Sequence, residues 1–424
     1  MNSKIKILLI LLLVTMSTNL LFSQSQSIRL QSITVNDGLS QSFVNTIYQD
    51  NRGYMWFGTT DGLNRYDGYH IEVYKFDPDD RNSISDNFVR CIIEDHKQRL
   101  WIGTDAGGLN LYDINQDRFT QISLEQTNNY PSQNEQIWDL DIDASNTLWI
   151  ASSVGIYTIA LDAKDIIAKR FSEARNMVRC IVSSDDGSGW YGAETEGLYS
   201  FTNKEQSKDF KIREFQESTI FDLIQEGKET LWIGTSAGLL KYDIAAGDIR
   251  PIKLPLTGDV EEITSLAMGP QKKLWIGTSA HGLISLDTKT EEASVFTHIP
   301  EDPNSLREAG IKKIFFDKND LLWISTRGEG IQFFDPQTPF RYYGHDARRA
   351  NGISHPSIRA ILTDDDGLWI GGYEGLDFFS KDNKSHIHYG ANPQGLSNNN
   401  VYALHKNGSN KLWIGTEGGG LFRL

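Results

Sequence analysis

Seven residues of very different type stand at one place in a recurring phrase: Asn45, Arg90, Trp138, Arg179, Phe221, Thr264 and Lys312. Each follows the first apolar residue of a short apolar run, as Arg90 follows Val89 in VRCIIED. Three are cations and two are aromatic. A guanidinium presents a planar fork to carboxylate or sulfate, and an aromatic face stacks on the apolar face of a sugar ring. If the runs lie side by side around one axis, these positions face a common space and form a ligand-binding layer. The opposing reading is that channel-lining positions pack weakly and vary freely in type. His281, Arg327 and Glu329 fall in turns expected on the same side and join the candidates. His386 and His388 are two apart on an expected strand and share a face. A metal there would need further ligands, so no metal or other cofactor is expected. Asp364, Asp365 and Asp366 read as an Asx turn, since calcium ligands alternate along the chain. No GxSxG, HExxH or P-loop phrase occurs, so no catalytic residue is expected in this chain.

The elements that must position these residues repeat. LWIGTDAGGLNLYD from Leu100 returns as LWIGTSAGLLKYD from Leu231, LWIGTSAHGLISLD from Leu274 and LWIGTEGGGLFRL from Leu412. Its tryptophan stands at Trp56, Trp101, Trp149, Trp190, Trp232, Trp275, Trp323, Trp369 and Trp413, roughly 45 residues apart. Of all tryptophans only Trp138 falls outside the series. Each copy reads as an apolar strand, a polar turn, the Trp strand and a turn whose Gly tolerates positive φ. A third strand and a less regular fourth follow. Four short strands at this period make a propeller blade, so the expected fold is all-β. A blade is apolar on both faces, and the Trp fills the wedge between neighbours, burying about 150–250 Å². At ~25 cal/mol/Å² that is roughly 4–6 kcal/mol at most per copy.

Rings close at about four to eight blades, so nine copies partition as seven and two. The expectation is a seven-bladed β-propeller over 28–335, followed by two blades of an incomplete second propeller over 340–424. The segment from Ser27 to Ile33 reads as an outer strand that completes the seventh blade. Pro336 and Pro339 discourage continued pairing at the seam, and the stretch from Phe340 to Tyr343 opens the second ring in the same manner. An unfinished ring exposes strand edges that favour self-association.

The stretch VNTIYQDNRGYMWFGTTDGLNRYD, Val44 to Asp67, resembles the two-component regulator propeller repeat. The opening ITVNDGLSQSFVNTIYQD resembles the start of the sensor region of hybrid two-component systems in Gram-negative bacteria. The resemblance implies an exported region of two seven-bladed propellers and a small β-sandwich. A membrane helix, a histidine kinase and response-regulator parts then follow in that family. It further implies that the ligand is an oligosaccharide released from polysaccharide. The residues assigned to it are Arg90, Trp138, Arg179, Phe221 and Lys312 of that layer with His281 and Arg327 of the turns. The cations either receive an acidic sugar or pair with nearby carboxylates. The implied partners are the C-terminal sensor and kinase parts or a membrane partner, with a homodimer as the expected assembly. The alternatives are a propeller scaffold for protein interaction, and a propeller lyase or hydrolase acting through two carboxylates.

The chain has 424 residues and a formal net charge of −15, without a basic run of five or more. That balance excludes a nucleic-acid or anionic-membrane surface, which needs clustered Lys and Arg. MNSKIK, then ILLILLLV, then LFSQSQS follow the basic, apolar, small-polar order of a secretory leader. Cleavage is expected after Ser23 or Ser25, and the leader is assigned to 1–25. Loss of Lys4 and Lys6 takes the charge from −15 to near −17. Export to the periplasm follows, with the parent protein anchored in the inner membrane. Cys91 and Cys180 occupy equivalent places two units apart, too distant to bridge, and read as small buried hydrophobes.

Overall fold

The computed structural model describes residues 30–424 apart from 125–134, 173–176, 185, 195–196, 203–217, 257–260, 301, 303, 338–342, 344–351, 382–384, 392–395 and 408–410. The leader expected at 1–25 and the expected start of a second ring at 340–342 lie outside the described residues. The chain divides into two compact units, one of Ile28–Pro339 and one that includes Phe340–Leu424. Both are all-β. Among the described residues the helical segments are two 3-10 turns, Val35–Asp37 and Pro270–Lys272.

Each copy of the repeat folds as one antiparallel sheet, seven with four strands and two with three described strands, in the form of propeller blades. The second copy shows the plan. Its strands Val89–Glu94, Leu100–Thr104, Leu109–Asp113 and Arg118–Ile122 pair in chain order. The phrase LWIGT follows from this geometry. Leu100, Trp101 and Ile102 are buried on both faces of the sheet. Gly103 leaves room for the next sheet, because a Cβ there would lie 2.6 Å from the Ile137 side chain. Thr104 closes the turn: its hydroxyl donates to the Gly108 carbonyl at 2.8 Å and accepts from Gly107 N at 3.1 Å. Gly108 itself sits at φ +70°, where a side chain is strained.

In the first unit seven sheets follow one another. The first strand of each lies beside the first strand of the next, and Ile311–Phe316 lies beside Val44–Gln49. These seven strands therefore surround one axis. Gln31–Ile33 pairs antiparallel with Ile331–Phe334, so the chain's leading strand belongs to the sheet of its seventh copy. The core is a series of wedges between sheets. Trp101 packs with Ile137, Leu140, Leu148 and Ile150 of the following sheet, and Trp56 with Ile92, Leu100, Ile102 and Tyr112. Both cysteines are buried and unbridged. In the second unit Ile358–Thr363 and Val401–Asn407 begin two further sheets, with Trp369 packed against Val401, Leu412 and Ile414.

Candidate functional site

Sequence alternation breaks at one point in every first strand. The register against the Trp strand shifts between Val44 and Thr46, Val89 and Cys91, Ile137 and Asp139, Val178 and Cys180, Ile220 and Asp222, Ile263 and Ser265, and Ile311 and Lys313. The skipped residues are Asn45, Arg90, Trp138, Arg179, Phe221, Thr264 and Lys312, the seven candidates. A bulge leaves one residue unpaired and re-aims its side chain. The seven therefore escape the pleat and point as the bulge directs.

Four of them meet. The guanidinium carbon of Arg90 lies 3.7 Å from the Trp138 ring centroid, and that of Arg179 lies 4.5 Å from it. Arg179 also lies 5.8 Å from the Phe221 centroid. Trp138 is thus flanked by cations from the strands on either side of it, which is a favourable cation–π arrangement and leaves its ring less open to a sugar than the sequence implies. Both arginines are also paired. Arg90 Nε donates to Asp105 at 2.7 Å and Arg179 Nε to Glu194 at 3.2 Å, with a second bond from Nη2 in each case. Gln136 donates to Asp105 as well, at 3.0 Å. The indole N–H of Trp138 is buried and has no partner among the described residues. Asn45 and Thr264 serve the fold, donating at 3.0 Å and 2.7 Å to the carbonyls of Val89 and Ile311 on the next sheet.

Lys312 differs from the arginines. It makes no ion pair among the described residues. Burial lowers its pKa, the positive charges of Arg90, Arg327 and Arg179 lower it further, and Glu262 opposes them. Arg327 is exposed, with Nη2 3.6 Å from Glu262. His281 is paired through Nδ1 with Glu261, which also accepts from Ala280 N at 2.9 Å. Glu329 is exposed in the same turn as Arg327. Lys312 and Arg327 therefore form the corner of this layer where positive charge is least neutralised.

One residue further along each first strand lies a second layer that the sequence reading missed. Lys313 reaches across the axis to Asp222, Nζ to Oδ2 3.2 Å, joining the seventh sheet to the fifth. Asp222 also accepts from Leu266 N at 2.9 Å and Ser265 Oγ at 3.1 Å. Asp139 accepts from Ile181 N at 3.0 Å. Burial pushes the Asp139 carboxyl up to about 7 against the pull of Lys313. Asp222 and Asp139 hold the lysine charged, so its pKa is raised despite burial. Period-two reading could not place these groups together, because the bulge moves them to the axis.

The remaining candidates are local. His386 Nε2 and His388 Nδ1 both lie against one oxygen of Asp377, at 3.1 Å and 2.9 Å, so they do share a face. Asp364 accepts from Asp366 N, Gly367 N and Trp369 Nε1, the expected Asx turn. The carboxylates Asp105 and Glu194 were readable after the fact: each stands fifteen residues after its arginine, first in the turn that follows the Trp strand.

Comparison with known proteins agrees with this geometry. The family model described as Two component regulator propeller matches residues 38–61, 83–106 and 395–418. The chain carries two-component regulator propeller repeats. A 62-residue stretch, 15% of the chain, is 45% identical to Histidine kinase P4 of Formosa agariphila and covers 4% of it. The extracellular domain of a hybrid two-component system from B. thetaiotaomicron superposes with a TM-score of 0.76 at 23% identity, over 94% of this chain and 53% of that one. A second such domain from the same organism gives 0.59 at 22%, over 93% and 52%. Virginiamycin B lyase from Staphylococcus aureus gives 0.57 at 14%, over 73% and 99%. At these identities the likeness is one of fold. The chain spans about half the length of the two-component domains.

Proposed function

We propose that this chain is the exported, ligand-sensing part of a two-component signal-transduction sensor. The repeats, the kinase match and the superposition on two extracellular domains support that reading. In it, residues 28–335 are a seven-bladed propeller, closed where Gln31–Ile33 pairs with Ile331–Phe334, and 340–424 begin a second. Residues 1–25 are the export signal, the location is the periplasm, and the partners are the kinase parts of an inner-membrane parent, joined as a homodimer. The chain itself does no chemistry.

The ligand in this reading is an acidic oligosaccharide, received at the bulge layer. The single observation that carries it is Lys312, a half-buried amine that makes no ion pair among the described residues, with the positive charges of Arg90, Arg327 and Arg179 acting on it. A carboxylate or sulfate placed there relieves the repulsion, whereas Arg90 and Arg179 already hold Asp105 and Glu194. Trp138, Phe221, His281 and Arg327 line the same mouth. Calorimetric titration with uronic-acid, sulfated and neutral oligosaccharides, at low and high salt, tests the proposal. Acidic ligands are expected to bind, more weakly as salt screens exposed charges, and Lys312→Ala should abolish the binding event at this layer. Tight, salt-insensitive binding of a neutral glycan, unchanged in the variant, would refute it.

A further inference from the structure

The bulge recurs in the second unit, at Arg359 between Ile358 and Ala360 and at Tyr402 between Val401 and Ala403. The turn position that holds Asp105 and Glu194 in the first unit holds a phenol here: Tyr373 follows Gly372 in LWIGGY as Asp105 follows Thr104 in LWIGTD. Arg359 donates from Nη2 to the Tyr373 hydroxyl at 2.5 Å and makes no ion pair among the described residues. Its guanidinium carbon lies 5.0 Å from the Tyr373 ring centroid and 5.6 Å from that of Tyr402. The two rings meet edge to face at 6.3 Å, and their hydroxyls are 3.5 Å apart. Arg359 is exposed and Tyr402 is 41% exposed. Glu417, on the neighbouring sheet's turn, accepts from Asn400 Nδ2 at 2.9 Å instead of from Arg359.

We propose that Arg359, Tyr373 and Tyr402 form a second ligand-binding site, for a sugar ring that carries a carboxylate. A neutral phenol cannot cancel the guanidinium charge, so the arginine keeps a fork for a planar anion. The exposed ring of Tyr402 supplies an apolar face beside it. The Tyr373 oxygen accepts from Arg359, and its hydroxyl meets that of Tyr402 in a contact where either group can donate. The same two bonds lower the Tyr373 pKa, and the bond to Tyr373 is the first cause raising Tyr402 to about 12. The choice of a sugar over another carboxylate rests on the proposed function; the site shares no residue with the bulge layer of the first unit.

The test is calorimetric titration of the full chain with digalacturonate, and with lactose as a neutral disaccharide. Digalacturonate is expected to bind, and Arg359→Ala and Tyr402→Ala should each weaken that event at least about ten-fold, the scale of one charge-assisted hydrogen bond. Arg359→Lys should recover only part of the loss, because an ammonium lacks the fork. Glu417→Gln should tighten binding by removing a nearby negative charge. All three residues are exposed, and unchanged thermal melting confirms that each variant folds. Absence of digalacturonate binding, equal binding of lactose, or no change in Arg359→Ala would overturn the site. Loss confined to Lys312→Ala would leave the proposed function standing and remove this inference; loss confined to Arg359→Ala would do the reverse.

Discussion

In the layer of motif tryptophans, sheet after sheet places the same two groups in the same contact. The indole N–H of Trp56, Trp101, Trp149 and Trp323 donates to the carboxylate six residues earlier, Asp50, Asp95, Asp143 and Asp317, each at 2.9 Å. Trp232 does so to Glu226, and Trp369 donates to Asp364, five residues earlier, both at 3.0 Å. The other aspartate oxygen accepts the turn's backbone N–H groups, as Asp143 does from Ser145 and Thr147. Across the same sheets the bulge layer holds Asn, Arg, Trp, Arg, Phe, Thr and Lys, with partners that change from sheet to sheet. Where the carboxylate is present the first layer is buried and its N–H groups are paired; in the second, among the described residues, Lys312 makes no ion pair and the Trp138 N–H has no partner. One repeat thus separates what must be constant for sheets to stack from what is free to vary.

The comparison breaks most visibly if the tryptophans are not the stacking element. Trp232→Ala is expected to cost about 3–5 kcal/mol in chemical denaturation, the range for deleting a fully buried large aromatic. Trp138→Ala, half-buried in the bulge layer, should cost about 1–2 kcal/mol by the same measure. Equal losses would erase the distinction between the layers.

Next in size is the carboxylate of the tryptophan layer. Asp143→Ala strands the Trp149 N–H and two turn amides in a site that is 4% exposed, an expected loss of about 2–3 kcal/mol. The copies of Trp190 and Trp275 have Ser184 and Gly269 at that position. Introducing Gly269→Asp is not the converse test, since a Cβ there meets Phe316 and Trp275 atoms at 2.7–2.9 Å.

The axial layer sharpens the comparison through pH. Asp139 is raised from 3.8 to about 7 in the fold, so between those values the folded chain binds a proton that the unfolded chain has lost. Its contribution to stability is therefore greatest below pH ~4, declines as pH rises towards about 7, and is flat above that. Asp139→Asn keeps an acceptor for Ile181 N and should remove this component. Melting temperature followed from pH 4 to 8 in both proteins is the check; identical profiles would mean the carboxyl titrates normally.

The smallest expected effect is in the bulge layer itself. A double-mutant cycle on Arg90 and Asp105 should give a coupling of about 1 kcal/mol or less, as for ion pairs near the surface. A coupling several times larger would make that pair a structural clamp.

How much of this was legible depends on what period sets it. The tryptophans, the four-strand unit, the Asx turns and the unbridged cysteines follow from types and spacings along one copy. The strand at Gln31–Ile33 could be read because its apolar pattern precedes the first copy without a Trp strand of its own. Grouping Arg90, Trp138, Arg179 and Phe221 needed only their equivalent positions. The bulge was not legible, because VRCIIED reads as a regular strand until Cys91 and Ile92 both prove buried. Its consequences were missed with it: the reach of Lys313 to Asp222, two sheets away, and which carboxylates pair with the two arginines. Arg359 and Tyr402 stood at the same phrase position, but the reading of that position stopped at the seventh copy.

The claim that stability and recognition reside in separate layers is tested most directly by one variant, Arg90→Ala, Arg179→Ala and Lys312→Ala combined. Its unfolding by denaturant and its titration with an acidic oligosaccharide are measured on the same preparation. The expected result is a stability loss of no more than about 2 kcal/mol with binding weakened at least about ten-fold. Collapse of the fold with these three changes, or binding equal to that of the parent chain, would contradict it.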